Sequence, residues 1–399
     1  MRLKLTSIVF LICVFAFESF AQTGAVNQTL LDKILQRAKE TNSSSVLIIK
    51  DGKIIGEYYA ADKNEKIELM SCTKSIVSLA IGKLIDQGKI KSVDQFVYEF
   101  YPEWKQGKKT LVTIKHLLNH TSGMQNLSNA GLEIYPSKDF VKLALAAELS
   151  DEPGTKFSYN NKAVNLLAGI VQIASGKRMD NFMRDEFFSP MEIKDFGWTL
   201  DAAGNPHALA GLQLSAADFA KFGGLVLNRG KWDGKQIVSE KWIDESLTQS
   251  QPFNESGGLL WWRMSSNETY TIDDEHLQTL EKVGVEKSFL NAMQPIKGKV
   301  YQSGDQFTAI SEVFGKDWQK IVSTQMANKN VRVFKKTTGE IDAYNANGYL
   351  GQVLVIVPKS NLIAVRQVKQ SKDYNFETDG FMDFMPLVMQ LTKLGLTQK

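Results

Sequence analysis

Two stretches that read as β-hairpins stand near opposite ends of this 399-residue chain, with a mainly helical pattern between them. "SSVLIIKDGKIIGEYYA" (44–60) is two β-rich runs joined by Asp51-Gly52. That pair favours a tight two-residue turn, because both positions tolerate positive φ. "GQVLVIVPKSNLIAVRQV" (351–368) is the second hairpin. Strands at both ends and helices in the middle predict an α+β architecture, with one antiparallel sheet built from both termini and flanked by helices.

Helical spacing begins at Ser71 and continues to the neighbourhood of Leu149. It resumes in "KAVNLLAGIVQIASGK", where Gly176 is a stop signal. "LSAADFAKFGGLVLNRG" starts with Ser215 three residues before Asp218, a capping-box-like beginning. "FMDFMPLVMQLTKLGL" closes the chain as an apolar helix. Residues 265–345 are polar and mixed in pattern, with helices expected around 274–294 and 304–326. They read as an insertion packed on a catalytic domain of residues 22–399, either a lid or a surface embellishment.

The N-terminus has the form of a targeting segment. "MRLKLTS" is basic, "IVFLICVFAF" is apolar, and Ser19 and Ala21 are small, as at a signal-peptide cleavage site after Ala21. The apolar run is too short to span a bilayer, and no membrane span is expected in the mature chain. Without residues 1–21 the net charge moves only from +3 to +2, which makes no electrostatic case for nucleic acid or an anionic membrane. Of the two cysteines, Cys13 falls within this segment and only Cys72 remains. An exported chain with no internal disulfide must draw its stability from core burial. A periplasmic or secreted location follows as the expectation.

The chemistry centres on "MSCTKSIVSLAIGKLIDQG" (70–88). Ser71 and Lys74 are three apart and share a helix face. Ile76, Val77, Ala80, Ile81, Leu84 and Ile85 form an apolar face, so the helix is expected to be buried. Desolvation and the positive end of the helix dipole would then equip Lys74 to take a proton from the Ser71 hydroxyl. The Ser71 backbone N–H, at the helix N-terminus, can face a developing oxyanion. A buried helix that merely opens with a serine would show the same short pattern, since S-x-x-K is a loose motif.

A second element is "PGTKFSYNN", a loop before a helix that carries the chain's single Y-x-N, Tyr159-Asn160-Asn161. A phenol near an ammonium can relay a proton, and a carboxamide can hold a substrate amide through both donor and acceptor. The structural alternative makes Tyr159 a plain loop residue and Asn161 the cap of the next helix. His116 and His120 lie one helical turn apart, but no third ligand at a suitable spacing follows. His207 and His276 read as surface groups, and Cys72 as a small buried residue. Trp261 and Trp262 fit an apolar pocket wall and a core equally well.

The order S-x-x-K, Y-x-N, then a Gly-rich turn into a terminal hairpin resembles the serine β-lactamase and penicillin-binding-protein superfamily, on the branch of class C β-lactamases and their esterase and amide-hydrolase relatives. "TIKHLLNHTSGM" (113–124), "GLQLSAADFAKFGGLVLNRGKWDGKQIVSEKW" (211–242) and "GYLGQVLVIVP" (348–358) are also similar to family stretches. The resemblance implies a β-lactamase/transpeptidase-like fold, an acylated nucleophile at Ser71, its neighbouring lysine at Lys74, a proton-sharing tyrosine at Tyr159 and a substrate-amide contact at Asn161. It implies no cofactor and no metal.

The family's third motif, a basic residue then any residue then glycine, falls here on Ala346-Asn347-Gly348, so the base is replaced by alanine. A second frame, Tyr349-Leu350-Gly351, also lacks a base, and "KKTTG" (335–339) lies too far upstream. By position the Tyr349 N–H would be the second oxyanion donor. The basic residue normally helps bind a substrate carboxylate, so its absence weakens β-lactams and D-Ala-D-Ala peptides as substrates. The leading expectation is an exported serine hydrolase acting on a small-molecule or peptide-like ester or amide. A β-lactamase or D,D-peptidase is the enzyme alternative, and a catalytically silent ligand-binding relative is the alternative from another class.

Overall fold

A computed structural model describes residues 26–391 apart from 128, 303, 328 and 330. The expected signal peptide, residues 1–21, lies outside the described residues, as do residues 392–396 of the expected terminal helix. Asp51 and Gly52 take φ of 51° and 74°, the left-handed turn their identities favour. This turn joins strand Ser45–Lys50 to strand Lys53–Tyr59. At the other end, Gln352–Val357 and Leu362–Gln367 form the second hairpin.

The two hairpins meet directly, with Ser45 opposite Gln367 and Lys50 opposite Leu362. Six antiparallel strands result, in the order Lys53–Tyr59, Ser45–Lys50, Leu362–Gln367, Gln352–Val357, Ala343–Gly348 and Trp262–Met264. The last strand pairs only with Ala343, Tyr344 and Asn345. Among the described residues, Ala346 to Gly348 therefore have no strand partner on that side. One face of the sheet packs on the helices Gln28–Glu40 and Phe384–Gln390 through Val46, Ile48, Val355 and Ala364. The other face packs on the helical region through Leu47, Ala346, Leu354 and Val365.

The helix Cys72–Asp86 runs through that second core and is buried on every side. The sequence predicts a single apolar face, with Ile85 on it; the helix instead also buries Thr73, Lys74, Ser75 and Ser78, and Ile85 is only half-buried. Gly82 meets the Trp242 indole so closely that a Cβ there would lie 2.2 Å from the ring. Two local signals hold as written: Ser215 caps helix Ala216–Leu227 by accepting from the Asp218 N–H, and Gly176, at φ 75°, ends helix Asn161–Ser175.

Between Met264 and Ala343 the chain builds a small body with its own core of Ile272, Leu280, Phe289, Met293 and Ile310. Its sheet has Thr269–Thr271 between Val300–Gln302 and Lys335–Thr337. Each expected helix is two. Asp274–Lys282 and Lys287–Ala292 are separated at Gly284, and Asp305–Phe314 and Trp318–Met326 at Gly315, both glycines having positive φ.

Arg366 ties the termini together. It is fully buried. Its Nε donates to Ser43 Oγ at 2.8 Å, and its Nη atoms donate to the carbonyls of Thr41, Gly351 and Asp379 at 3.3, 3.0 and 2.5 Å. Burial lowers its pKa to about 10. Replacing it with an apolar residue strands these acceptors without donors. Arg366→Leu is therefore expected to cost roughly 3 kcal/mol or more, read as a shift in the urea midpoint against wild type.

Candidate active site

Met70 has φ of 48°, which turns the chain from strand Ile67–Glu68 into the buried helix. Ser71 follows as its N-cap, at φ −66° and ψ −11°. The first turn is tight: the N–H groups of Cys72, Thr73 and Lys74 donate to the carbonyls of Leu69, Met70 and Ser71. The described residues supply no backbone acceptor for the Ser71 N–H.

Lys74 is 2% exposed. Its Nζ donates to Ser71 Oγ at 2.9 Å and to the Leu209 carbonyl at 2.6 Å. It also lies 5.1 Å from the centre of the Tyr159 ring. A buried ammonium needs such compensation, because an uncompensated charge in the interior costs several kcal/mol. Sequence reasoning missed the Leu209 carbonyl. It is held by Asn165, whose Oδ1 accepts from the Leu209 N–H at 3.1 Å. Asn165 is 1% exposed. A carboxamide in the apolar run "VNLLAGIV" was the available signal, since buried polar side chains are hydrogen-bonded.

Tyr159 arrives from the loop before helix Asn161–Ser175, so the structure brings Ser71, Lys74 and Tyr159 together. The contact differs from a direct proton relay. Lys74 Nζ lies over the Tyr159 ring, and the described hydrogen bonds include none from the Tyr159 hydroxyl to Lys74 or Ser71. Aromatic neighbours set this plane. His120 lies 4.4 Å from the ring and Trp262 stacks at 6.3 Å with 21° between planes. The Tyr159 carbonyl accepts from Asn126 Nδ2 at 2.9 Å. The two tryptophans divide: Trp261 is core, 1% exposed, and Trp262 walls the site.

Asn160, not Asn161, caps the following helix, accepting from the Ala163 N–H at 3.0 Å. That leaves the Asn161 Oδ1 buried without a protein partner. On the sheet side, a Cβ on Gly348 would lie 2.9 Å from the Ser71 N and 2.8 Å from the Leu69 carbonyl oxygen. Gly351, the alternative glycine, lies against Arg366 instead. Ala346 is fully buried in the core, and Tyr349, next to Gly348, is 66% exposed. The upstream "KKTTG" belongs to the insertion, where Lys336 pairs with Glu268 at 2.5 Å.

The other sequence candidates resolve as follows. The Cys72 thiol donates to the Gln352 carbonyl at 3.3 Å, and burial pushes its pKa well above the ordinary thiol range. His116 accepts from the Thr113 N–H through Nδ1, closing a capping box. His207 is not a surface group: it is 7% exposed and stacks on Phe140 at 4.3 Å. His276 is half-buried in the insertion, its Nε2 3.1 Å from the Val333 carbonyl oxygen. His120 is 3% exposed, accepts from the Asn160 N–H, and leaves Nε2 without a partner. Burial first, then the Lys74 charge, lowers its pKa to about 3.

A sheet closed from both termini, with an S-x-x-K helix buried against it, defines the β-lactamase/transpeptidase-like fold class. The Beta-lactamase family model matches residues 31–381, and the chain belongs to that family. Protein flp of Staphylococcus aureus strain MW2 is 25% identical over 209 residues, 47% of this chain and 41% of flp. The 6-aminohexanoate-dimer hydrolase of Paenarthrobacter ureafaciens is 25% identical over 237 residues, 55% of this chain and 60% of that protein. The chain thus spans about half the length of the curated relatives it matches. Among solved structures, a penicillin-binding protein of Bacillus halodurans shares the fold with a TM-score of 0.56 at 18% identity, over 86% of this chain and 96% of that one.

Two outcomes follow from this geometry. Gly348→Ala should leave the chain folded but block the approach to the Ser71 N–H, lowering any Ser71-dependent rate by about a hundredfold, the scale of losing one oxyanion donor. The measurement is covalent labelling of Ser71 beside a thermal melt. His120 is protonated near pH 6.5 when unfolded but only near pH 3 when folded. The unfolded chain therefore binds more protons between those values, and stability falls as pH drops through that window. Urea midpoints at about pH 7 and about pH 4 should fall further for wild type than for His120→Gln, the difference reaching several kcal/mol at most.

Proposed function

We propose that this chain is an exported serine hydrolase that cleaves an ester or amide bond through an acyl-enzyme on Ser71. The observation that carries the reading is the 2.9 Å hydrogen bond between Lys74 Nζ and Ser71 Oγ, below a Ser71 N–H with no backbone acceptor among the described residues. Lys74, as the amine, takes the hydroxyl proton while Oγ attacks the substrate carbonyl. The ammonium so formed is held by the Leu209 carbonyl and the face of Tyr159. The N–H groups of Ser71 and Tyr349 receive the oxyanion. The proton passes from Lys74 to the leaving group, and water then releases the acyl group.

Asn161 holds the substrate amide or acyl side chain through its unpartnered Oδ1 or its N–H groups. Family membership supports hydrolysis, and one relative bears the name of a dimer hydrolase. The apolar residue at position 346 counts against β-lactams and D-Ala-D-Ala peptides, because nothing there can pair with their carboxylate. The basic, apolar and small-residue segments of residues 1–21 support export.

A fluorophosphonate probe followed by peptide mass spectrometry tests the reading. One adduct is expected, on Ser71. It should vanish in Ser71→Ala and slow by roughly a thousandfold or more in Lys74→Ala, the scale of removing a nucleophile's base. Labelling unaffected by Ser71→Ala removes the proposal, and nitrocefin turnover that tracks Ser71 would move it to the β-lactamase reading. The intact mass of the protein from an exporting host reports whether residues 1–21 are gone.

A further inference from the structure

The insertion encloses a cavity of about 260 Å³ that the hydrolase reading leaves unused. Its walls are Tyr270, Phe307, Ile310, Trp318, Val322 and Phe334, with Gln306 and Arg332 among the residues that line it. Gln306 is 3% exposed and already engaged, its Oε1 accepting from the Gly304 N–H at 2.7 Å. Phe307 is 54% exposed and stacks on Trp318 at 5.8 Å. An apolar cavity kept open to solvent by a half-exposed aromatic pair is the form of a small-ligand site.

Among the residues that line it, the charged one is Arg332. Arg332 is exposed and forms no ion pair among the described residues. On helix Asp305–Phe314, Phe307 and Ile310 share the cavity face, whereas Asp305 and Glu312 fall on the opposite face by helical spacing. Residues 315–336 carry Lys316, Lys320, Lys329, Arg332, Lys335 and Lys336 against the single acid Asp317. Of these bases, Lys335 and Lys336 are neutralised by Asp273 and Glu268. A neutral apolar guest would leave Arg332 unused, and a small inorganic anion would leave the aromatic walls unfilled.

We propose that this cavity binds a free single-chain organic anion. The apolar tail lies against the stacked Phe307 and Trp318 rings with Ile310 and Val322, and a carboxylate or similar head group pairs with the Arg332 guanidinium. At about 260 Å³ the space lies at the small end of ligand cavities, which suits one short acyl chain and not the two chains of a phospholipid. The site is separate from Ser71 and does not depend on how that serine is used.

Calorimetric titration of the full chain with octanoate, 1-octanol and phosphatidylglycerol vesicles tests this. Octanoate should bind saturably and more tightly than 1-octanol. Arg332→Glu should weaken octanoate by about tenfold or more, the scale of a charge-assisted contact, and leave 1-octanol unchanged. Phe307→Ser should weaken both. Both substitutions are at exposed positions, so an unchanged melting temperature shows that the fold is intact. Absence of saturable octanoate binding, binding indifferent to both substitutions as expected from the groove beside Ser71, or binding to vesicles alone overturns the proposal.

Discussion

The burial of helix Cys72–Asp86 on all sides is the constraint from which the site follows. A helix with one wet face could turn Lys74 to solvent; this one cannot, and its ammonium has to be satisfied inside the protein. Its own first turn supplies the hydroxyl of Ser71, and two segments distant in sequence supply the Leu209 carbonyl and the Tyr159 ring. Both distant groups are fixed in turn by a polar side chain or an aromatic neighbour, Asn165 for Leu209 and Asn126 with His120 for Tyr159. The polar first turn extends the pattern, since Ser75 Oγ donates to the Leu260 carbonyl and Thr73 Oγ1 accepts from the Leu212 N–H. One buried lysine and its polar neighbours thereby organise the loops that surround the Ser71 hydroxyl.

The sheet contributes position. Gly348 reaches the Ser71 N because strand Ala343–Gly348 ends in register with Gln352, and the next turn is held by Arg366 through the Leu350 and Gly351 carbonyls. The same guanidinium holds Thr41 after the first helix and Asp379 near the last. The approach of Gly348 to the Ser71 N is therefore set partly by contacts between the two ends of the chain. This gives a physical reason for a sheet assembled from both termini: the guanidinium that holds the turn after this strand also holds both ends.

Legibility in the sequence followed the range of the interaction. Asp51-Gly52, Gly176 and Ser215 act within a few residues, and each behaves as its chemistry indicates. The pairing of the two hairpins was readable because both are local and each needs a partner strand. Gly284 and Gly315 were visible breakers that a broad helical window ran across. His207 was misread because its burial depends on Phe140 and Tyr135, which no local pattern connects to it. The Leu209 carbonyl had no direct signal, because a backbone acceptor is the same in every residue. Asn160 and Asn161 were told apart only by the path of the chain, which makes the first the cap and leaves the second with a buried, unpartnered Oδ1.

The alanine at position 346 then takes its meaning from strand geometry. Side chains alternate across a sheet, and Ala346 shares its face with Leu354 and Ile356 in the core beneath the nucleophile helix, while Asn345 and Asn347 point the other way and bond to each other at 3.0 Å. A cation at 346 would have to leave that core to meet a substrate; the methyl group instead packs into it. What remains beside Ser71 is the open backbone edge of Ala346 to Gly348, flanked by the indole of Trp262 and the exposed ring of Tyr349. An edge of this kind leaves peptide N–H and C=O groups unpaired beside an apolar wall, and position 346 sets no charge among them.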